Sequence, residues 1–376
     1  MLDCQEFYEI LKSEEINFFT GVPDSTFKSW MKFLADEHGK GLTNIKSCNE
    51  CEAIALASGY YLATGKLGVV YLQNAGLGKT VNPLTSLTDP EVYSIPLILM
   101  IGWRGKPGED DEPQHKKMGR ITIPLLQTLE IPYLELPDNR EEASLMITKA
   151  KKIALELKAP FALIVKKNTF SEYDSKIIIK QNFEMTRECA IKTIIDEMKR
   201  DEIIISTTGK TSRELFEYRT FKQQGHANDF LTVGSMGCSS SIALGIALQK
   251  KEKNVFVFDG DGAVIMQEGS LSTIGHYAPE NLYHIIFDNQ VYDSTGGQPT
   301  VSTTVDFEKL SLANGYINSK TVFTKNELIS TIKELEFKKG PMMIIVKVNK
   351  GARKTLGRPT TTPIQNKNTF MDFLSQ

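Results

Sequence analysis

Cysteine is scarce in this chain. There are five in 376 residues, too few and too scattered for a disulfide framework. An excess of one charge is also missing: 44 basic residues stand against 46 acidic ones. At chain level that leaves no footprint for nucleic acid or an anionic membrane surface. No apolar run reaches the roughly 18 residues of a membrane span. The opening Met1-Leu-Asp-Cys-Gln-Glu-Phe lacks the basic end and apolar stretch of a secretory leader, so a reducing cytoplasm is the expected home. What is present is a 41% hydrophobic chain, long enough to bury two cores.

Buried-looking apolar runs alternate with helical patterns throughout. In the first half the runs are Phe18-Phe-Thr-Gly, Leu67 to Leu72, Pro96 to Gly102 and Pro160 to Val165. Helical periodicity falls between them, over Glu50 to Ala63 and Arg140 to Leu157. The second half repeats the scheme with Glu202 to Thr207, Val255 to Phe258, Tyr283 to Phe287 and Pro341 to Val346. Such alternation predicts α/β architecture, with two doubly wound parallel-sheet domains. The expected division is residues 1–170, a polar linker at 171–182, and residues 183–376, with no room for a middle domain. A short edge strand over Lys176 to Lys180 is the alternative reading of part of that linker.

The most informative stretch is Asn254-Val-Phe-Val-Phe-Asp-Gly260-Asp261-Gly262, with Tyr283-His-Ile-Ile-Phe-Asp-Asn289-Gln-Val291-Tyr292 downstream. Each part is an apolar run that ends in Asp, Asn or Gly, as a buried strand does when it delivers polar groups to a crevice. A crossover helix is expected over Ala263 to Tyr277. Gly260 and Gly262 permit close backbone approach to a phosphate. Asp261 and the Asn289 amide oxygen are hard donors suited to Mg²⁺ or Ca²⁺. A lone Gly-Asp-Gly is also an ordinary turn; the strand context is what raises its meaning.

On these residues the chain resembles the thiamine-diphosphate-dependent decarboxylases. The resemblance implies bound thiamine diphosphate and Mg²⁺, the cation held by Asp261, Asn289 and the Val291 carbonyl, with Gly260, Gly262 and Tyr292 against the cofactor. It gives a role to Glu50 in Glu50-Cys-Glu-Ala-Ile-Ala-Leu-Ala-Ser-Gly59-Tyr60, where a family Glu protonates the pyrimidine N1′ and so promotes the thiazolium ylid. The plainer account of Glu50 is a first-turn acid at a helix start. Gly76 falls in the Gly-rich turn Tyr71 to Asn82, which resembles the family's pyrimidine-binding segment. Val233-Gly234-Ser235-Met236-Gly237 resembles the family segment that holds the aminopyrimidine, which implies that the Gly234 carbonyl accepts from the 4′-amino group and that Met236 bends the cofactor; otherwise Met236 is core filler. Thr208, Gly209 and Lys210 follow a strand and offer N–H groups to the diphosphate. Asp24 and Ser25 face the substrate in the family, and as local structure they would be helix caps. His115, in a Gly/Pro-broken polar loop, could shuttle protons near neutral pH.

Cys48-Asn-Glu-Cys51 would be a redox or zinc pair only with a second ligand pair, which the chain does not supply. Motifs in both halves, Gly21-Val-Pro-Asp-Ser25, Asp111-Glu-Pro-Gln-His115, Thr207-Thr-Gly-Lys210, Asp293 to Thr300 and Gly357-Arg-Pro-Thr360, resemble the branch of the family acting on 3-phosphonopyruvate. The implied reaction is its non-oxidative decarboxylation to phosphonoacetaldehyde, a step of phosphonate biosynthesis. A near-dianionic phosphonate calls for Arg and Lys, and Arg353, Lys354 and Arg358 are the candidates; a solvated basic tail is the plainer account. The resemblance also implies a homodimer or larger homo-oligomer with sites shared between subunits. The rivals are a sulfopyruvate decarboxylase, another thiamine-dependent 2-oxo acid decarboxylase, or a non-catalytic module that keeps the fold.

Overall fold

The computed structural model describes every residue except Ile178 and Ser294. The chain divides into two compact units: Met1–Ile179 with Thr295–Gln298, and Lys180–Ser294 with Pro299–Gln376.

The first unit holds a six-stranded sheet of β1 (Phe18–Gly21), β2 (Thr43–Lys46), β3 (Gly68–Gln73), β4 (Ile98–Gly102), β5 (Tyr133–Glu135) and β6 (Phe161–Val165). Its order is β2-β1-β3-β4-β6-β5 with every pairing parallel. Helices cover both faces, so the inner strands are buried throughout; β4 and β6 show no exposed residue. On one face Trp30 stacks at 5.3 Å on Phe33 and at 5.8 Å on Phe170, and meets Phe7 edge-on at 5.0 Å. The chain leaves β1 toward β2 on one side and returns to β3 on the other. The switch point, where open α/β sheets bind ligands, therefore lies at the carboxyl ends of β1 and β3.

The second unit holds β7 (Met185–Thr186), β8 (Ile203–Ser206), β9 (Asp229–Leu231), β10 (Val255–Gly260) and β11 (Leu282–Asp288). After two two-residue strands, β12 (Val291–Tyr292) and β13 (Gln298–Pro299), come β14 (Asn318–Val322) and β15 (Met342–Asn349). The large sheet runs β14-β15-β11-β10-β8-β9, all parallel, with β7 beside the end of β15. Its switch point lies between β8 and β10, so Thr207 to Lys210 and Gly260 to Gly262 emerge at one crevice.

One expectation changes. The crossover after β10 is not one helix over 263–277 but two, Asp261–Met266 and Gly269–Tyr277, because Gln267 takes φ −130° and ψ 42° and breaks the hydrogen-bond run. The stretch 171–182, expected as a linker, is anchored in its first part. The Tyr173 and Ser175 hydroxyls and the Lys176 and Ile177 amides all donate to Asp36, at 3.0, 2.7, 2.6 and 3.2 Å. The edge strand weighed for 176–180 includes Ile178, which lies outside the described residues; its described neighbours carry no strand pairing.

Candidate active site

In the first unit, polar groups gather where β1, β3 and β4 end. Asn49 caps the helix Glu50–Thr64 by accepting from the Glu52 amide at 3.0 Å, which leaves Glu50 at the first position, buried. A Cβ at Gly76 would fall inside the Glu50 carboxylate, so glycine there is what gives that side chain its place. Oε1 borders Gly76, while Oε2 is buried without a hydrogen-bond partner and has the Lys79 ammonium 3.6 Å away. A buried carboxylate oxygen lacking a donor is costly, and a ligand bringing an N–H would satisfy it.

Asp24 is fully buried at the end of β1. The Gln73 amide donates to its Oδ1 at 2.8 Å, and Oδ2 has no partner. Its carboxylate occupies the space a side chain at Gly102 would need. Burial pushes its carboxyl above the ordinary range, against the opposing hydrogen bonds from Gln73 and Thr26. Beside it, Arg104 grips Asp111 through two hydrogen bonds of 2.8 and 2.6 Å and donates to the Ser25 hydroxyl at 3.0 Å. Asn74 fixes the backbone of Arg104 from both sides, donating to its carbonyl at 2.8 Å and accepting from its amide at 3.2 Å. The Arg104 guanidinium holds the Asp111 carboxyl well below the usual carboxylate range.

His115 is nearly buried at the start of the helix Pro113–Thr128, and its Nδ1 has no partner. Burial first, then the Arg104 charge, lowers it from 6.5 to about 4, so the ring is neutral at physiological pH. The unfolded chain takes up this proton between pH 6.5 and 4 while the folded one does not. Stability from this group is thus complete above pH 6.5 and is lost as pH falls through that window. His115→Gln is expected to remove up to about 3 kcal/mol of that acid-side loss. Chemical denaturation of both proteins at pH 7 and pH 4.5 checks it, and parallel curves would refute the buried neutral imidazole.

In the second unit, Asp261 opens the helix Asp261–Met266 and is buried. Desolvation first, then the neighbouring Asp288 charge, raises its carboxyl from 3.8 to about 7. The Thr300 hydroxyl donates to its Oδ2 at 2.5 Å. Asn289 Oδ1 accepts from the Val291 amide at 3.1 Å, and the Val291 carbonyl accepts from the Asp293 amide at 3.1 Å. Each of those oxygens keeps a second lone pair. Among the described residues no group of three or more His, Cys, Asp or Glu could hold a metal. A cation here needs backbone and ligand oxygens as well, which is how Mg²⁺ is held beside phosphates. A strained carboxylate beside a second one fits such an ion. Gly262 lies under the Tyr292 ring, 2.8 Å from where its Cβ would be.

Gly209 takes φ +94° before the helix Lys210–Phe221, whose start has no side-chain cap, so its first N–H groups are left for a ligand. Thr207 Oγ1 is buried beside it without a partner, while Thr208 and Lys210 are half-buried. Ser235 and Gly237 carry positive φ, and Gly237 packs on the helix of Asp261, where a Cβ would lie 2.8 Å from the Ala263 carbonyl. Gly234 and Met236 in this turn are half-buried, so Met236 does not serve as core filler. Cys51 is exposed and Cys48 half-buried, and neither is in a disulfide.

The structure thus brings Glu50 against Gly76, and Asp24, Ser25 and His115 around Arg104. The basic segment is another matter. Arg353 Nε donates to Glu188 at 3.0 and 3.1 Å and its Nη2 to Glu217, so its charge is balanced inside the chain, while Lys354 and Arg358 are exposed. Sequence reasoning missed Gln73, Arg104, Asp288 and Thr300. An Arg directly after a buried strand was the available signal for Arg104.

Residues 5–122 match the family model for the N-terminal thiamine pyrophosphate binding domain of thiamine pyrophosphate enzymes, and residues 207–346 match that for the C-terminal one. Fold and site therefore define a thiamine-dependent enzyme. The chain is 34% identical over 341 residues to a phosphonopyruvate decarboxylase of Streptomyces viridochromogenes, covering 87% of this chain and 84% of that one. It is 33% identical over 392 residues to that of Streptomyces hygroscopicus, covering 100% and 95%. A sulfopyruvate decarboxylase of Methanosarcina acetivorans is 28% identical over 352 residues, covering 88% and 87%. This chain belongs to the phosphonopyruvate decarboxylase family of thiamine pyrophosphate enzymes. No described helix is long and apolar enough to cross a membrane.

Proposed function

We propose that this enzyme removes CO₂ from 3-phosphonopyruvate to give phosphonoacetaldehyde, using thiamine diphosphate and Mg²⁺. The observation that carries this is 33% identity along the whole chain to the Streptomyces hygroscopicus enzyme. Bound thiamine diphosphate supplies the electron sink that cleavage of the carbon–carbon bond requires. Glu50 holds a proton at the pyrimidine ring through its unpartnered oxygen. Asp261, Asn289 and the Val291 carbonyl hold the cation on the diphosphate, which Thr208, Gly209 and Lys210 also bind. Asp24, whose burial favours its protonated form, works with Ser25 and the neutral His115 to deliver a proton as CO₂ leaves. The reading is tested by assaying phosphonopyruvate, sulfopyruvate and pyruvate with and without Mg²⁺ and thiamine diphosphate. Fast turnover of sulfopyruvate in preference to phosphonopyruvate would favour the second reading, which rests on the 28% identity to the Methanosarcina acetivorans enzyme.

For the phosphonate we assign Arg358 and Lys354, with Arg353 holding the segment through its two carboxylates. Arg358→Ala is expected to raise KM for phosphonopyruvate about 10- to 100-fold, the worth of a charge-assisted pair, and Lys at this position restores only part of it. Cofactor binding should not change. Unaltered kinetics would make the segment a solvated tail and send the search to Lys210 and Arg213.

We also infer a homodimer or larger assembly in which Glu50 of one chain serves a cofactor held by Asp261 of another. Mixing Glu50→Gln with Asp261→Ala chains should then restore activity, because one site of each heterodimer keeps both residues. No recovery despite demonstrated subunit exchange would count against the shared site.

A further inference from the structure

Two side chains in the second unit tie the metal turn to the basic C-terminal segment. The Gln181 amide donates to the Asn289 carbonyl at 2.5 Å, and its oxygen accepts from the Lys350 amide at 2.7 Å. The Asp293 carboxylate accepts from the Asn289 amide group at 3.2 Å and from the Gly351 amide at 3.0 and 3.1 Å. Gln181 and Asp293 thus bridge the same two stretches, Asn289 on one side and Lys350–Gly351 on the other, through different atoms. Asp293 is anchored in turn: Arg187 Nη1 donates to it at 3.2 Å, and the Lys210 ammonium stands 3.9 Å away. Arg187 is itself buried and doubly bonded to Glu214 at 2.8 and 2.9 Å, and it also reaches the Gly351 carbonyl at 3.4 Å.

These donors fill the carboxylate of Asp293, which makes it a clamp between the two stretches. Its contact with the Asn289 amide nitrogen also fixes which way that side chain points, and so where its oxygen can meet a cation. Arg353 and Gly357, both exposed, are held by the half-buried carboxylates Glu188 and Glu217, and pairs with an exposed partner contribute little.

We propose that Gln181 and Asp293 are positioning residues that couple the metal turn to the basic segment, so that cation and cofactor binding at Asn289 order residues 350–358. This rests on the metal role given to Asn289 under the proposed function. Because coupling is reciprocal, the clamp also strengthens cofactor binding when the segment is ordered.

The test is amide hydrogen exchange over residues 350–357, with and without Mg²⁺ and thiamine diphosphate, paired with calorimetric cofactor affinity. In the parent, the ligands are expected to slow exchange of this segment. In Asp293→Ala that protection disappears and cofactor affinity falls by roughly tenfold or more, the worth of charge-assisted hydrogen bonds. Gln181→Ala loses part of the protection and guards against a folding failure in the first variant. Asp293→Asn still accepts from Gly351 and should retain kcat near the parent value, which an acid–base catalyst would not. Equal ligand-induced protection in parent and Asp293→Ala, or none in the parent, overturns the coupling. Asn289→Ala separates the two ideas. If it binds cofactor normally, the metal reading fails; if it loses affinity while Asp293→Ala does not, the clamp fails.

Discussion

Glu50→Gln is expected to bind thiamine diphosphate and to lose activity by a factor of about 10² or more, the usual worth of a positioned proton transfer. The amide keeps the volume that Gly76 leaves open, so cofactor affinity should stay within a few-fold. What it loses is a carboxylate that can share a proton. The alternative account, a first-turn acid that favours the helix dipole, is worth roughly 0.3–1 kcal/mol. Three observations weigh against it as the reason for this residue. Asn49 already caps the helix, Glu52 supplies another first-turn acid, and Glu50 is buried with one oxygen lacking a donor. Burying a charge costs more than the dipole returns. The metal-free Glu50→Gln protein is therefore expected to melt no lower than the parent. Steady-state decarboxylation with calorimetric cofactor titration checks the first part, thermal melting the second. Near-parent turnover would sink the assignment.

How far the sequence was legible depended on burial. The runs that became β3, β4, β6, β10, β11 and β15 could be read because both faces of those strands are covered, so apolar residues dominate them, with His284 in β11 and Lys347 in β15 as interior exceptions. Of the strands missed, β2, β5, β9 and β14 lie at the ends of the two large sheets' strand orders, and β7, β12 and β13 are only two residues long. Half-exposed sequences such as Thr43-Asn-Ile-Lys46 and Asn318-Ser-Lys-Thr-Val322 have no apolar run to betray them. Glycines were informative at or just after strand ends. Gly76 and Gly102 make room for Glu50 and Asp24, but the sequence could not say for which side chain. The Arg104–Asp111 pair escaped because a loop broken by Gly105, Pro107 and Gly108 separates its members, and pairing across such a loop has no periodic signature. The expectation for Arg353 ran into charge pairing, since Glu188 and Glu217 lie 165 and 136 residues away along the chain.

On the proposed cation site, Asp261→Ala should abolish Mg²⁺-dependent binding of thiamine diphosphate, lowering affinity by about two orders of magnitude or more, because the proposed charged ligand of the cation would be lost. The same substitution has an expected effect of the opposite sign on the protein without ligands. Asp261 is buried and faces the Asp288 charge, and these two influences raise its carboxyl to about 7. Asp288 is itself held by the Lys347 ammonium and by the Ser302 hydroxyl at 3.1 Å. An ionised Asp261 in that position costs the folded state on the order of a few kcal/mol above neutral pH. Removing it leaves Thr300 without one acceptor, but the Thr300 hydroxyl also lies 3.0 Å from Ser302. The metal-free Asp261→Ala protein at pH 8 is therefore expected to melt at or above the parent. Calorimetric titration with Mg²⁺ and thermal melting without it read the two effects separately. Retained affinity would remove Asp261 from the cation, and a clear fall in the ligand-free melting temperature would make its role architectural.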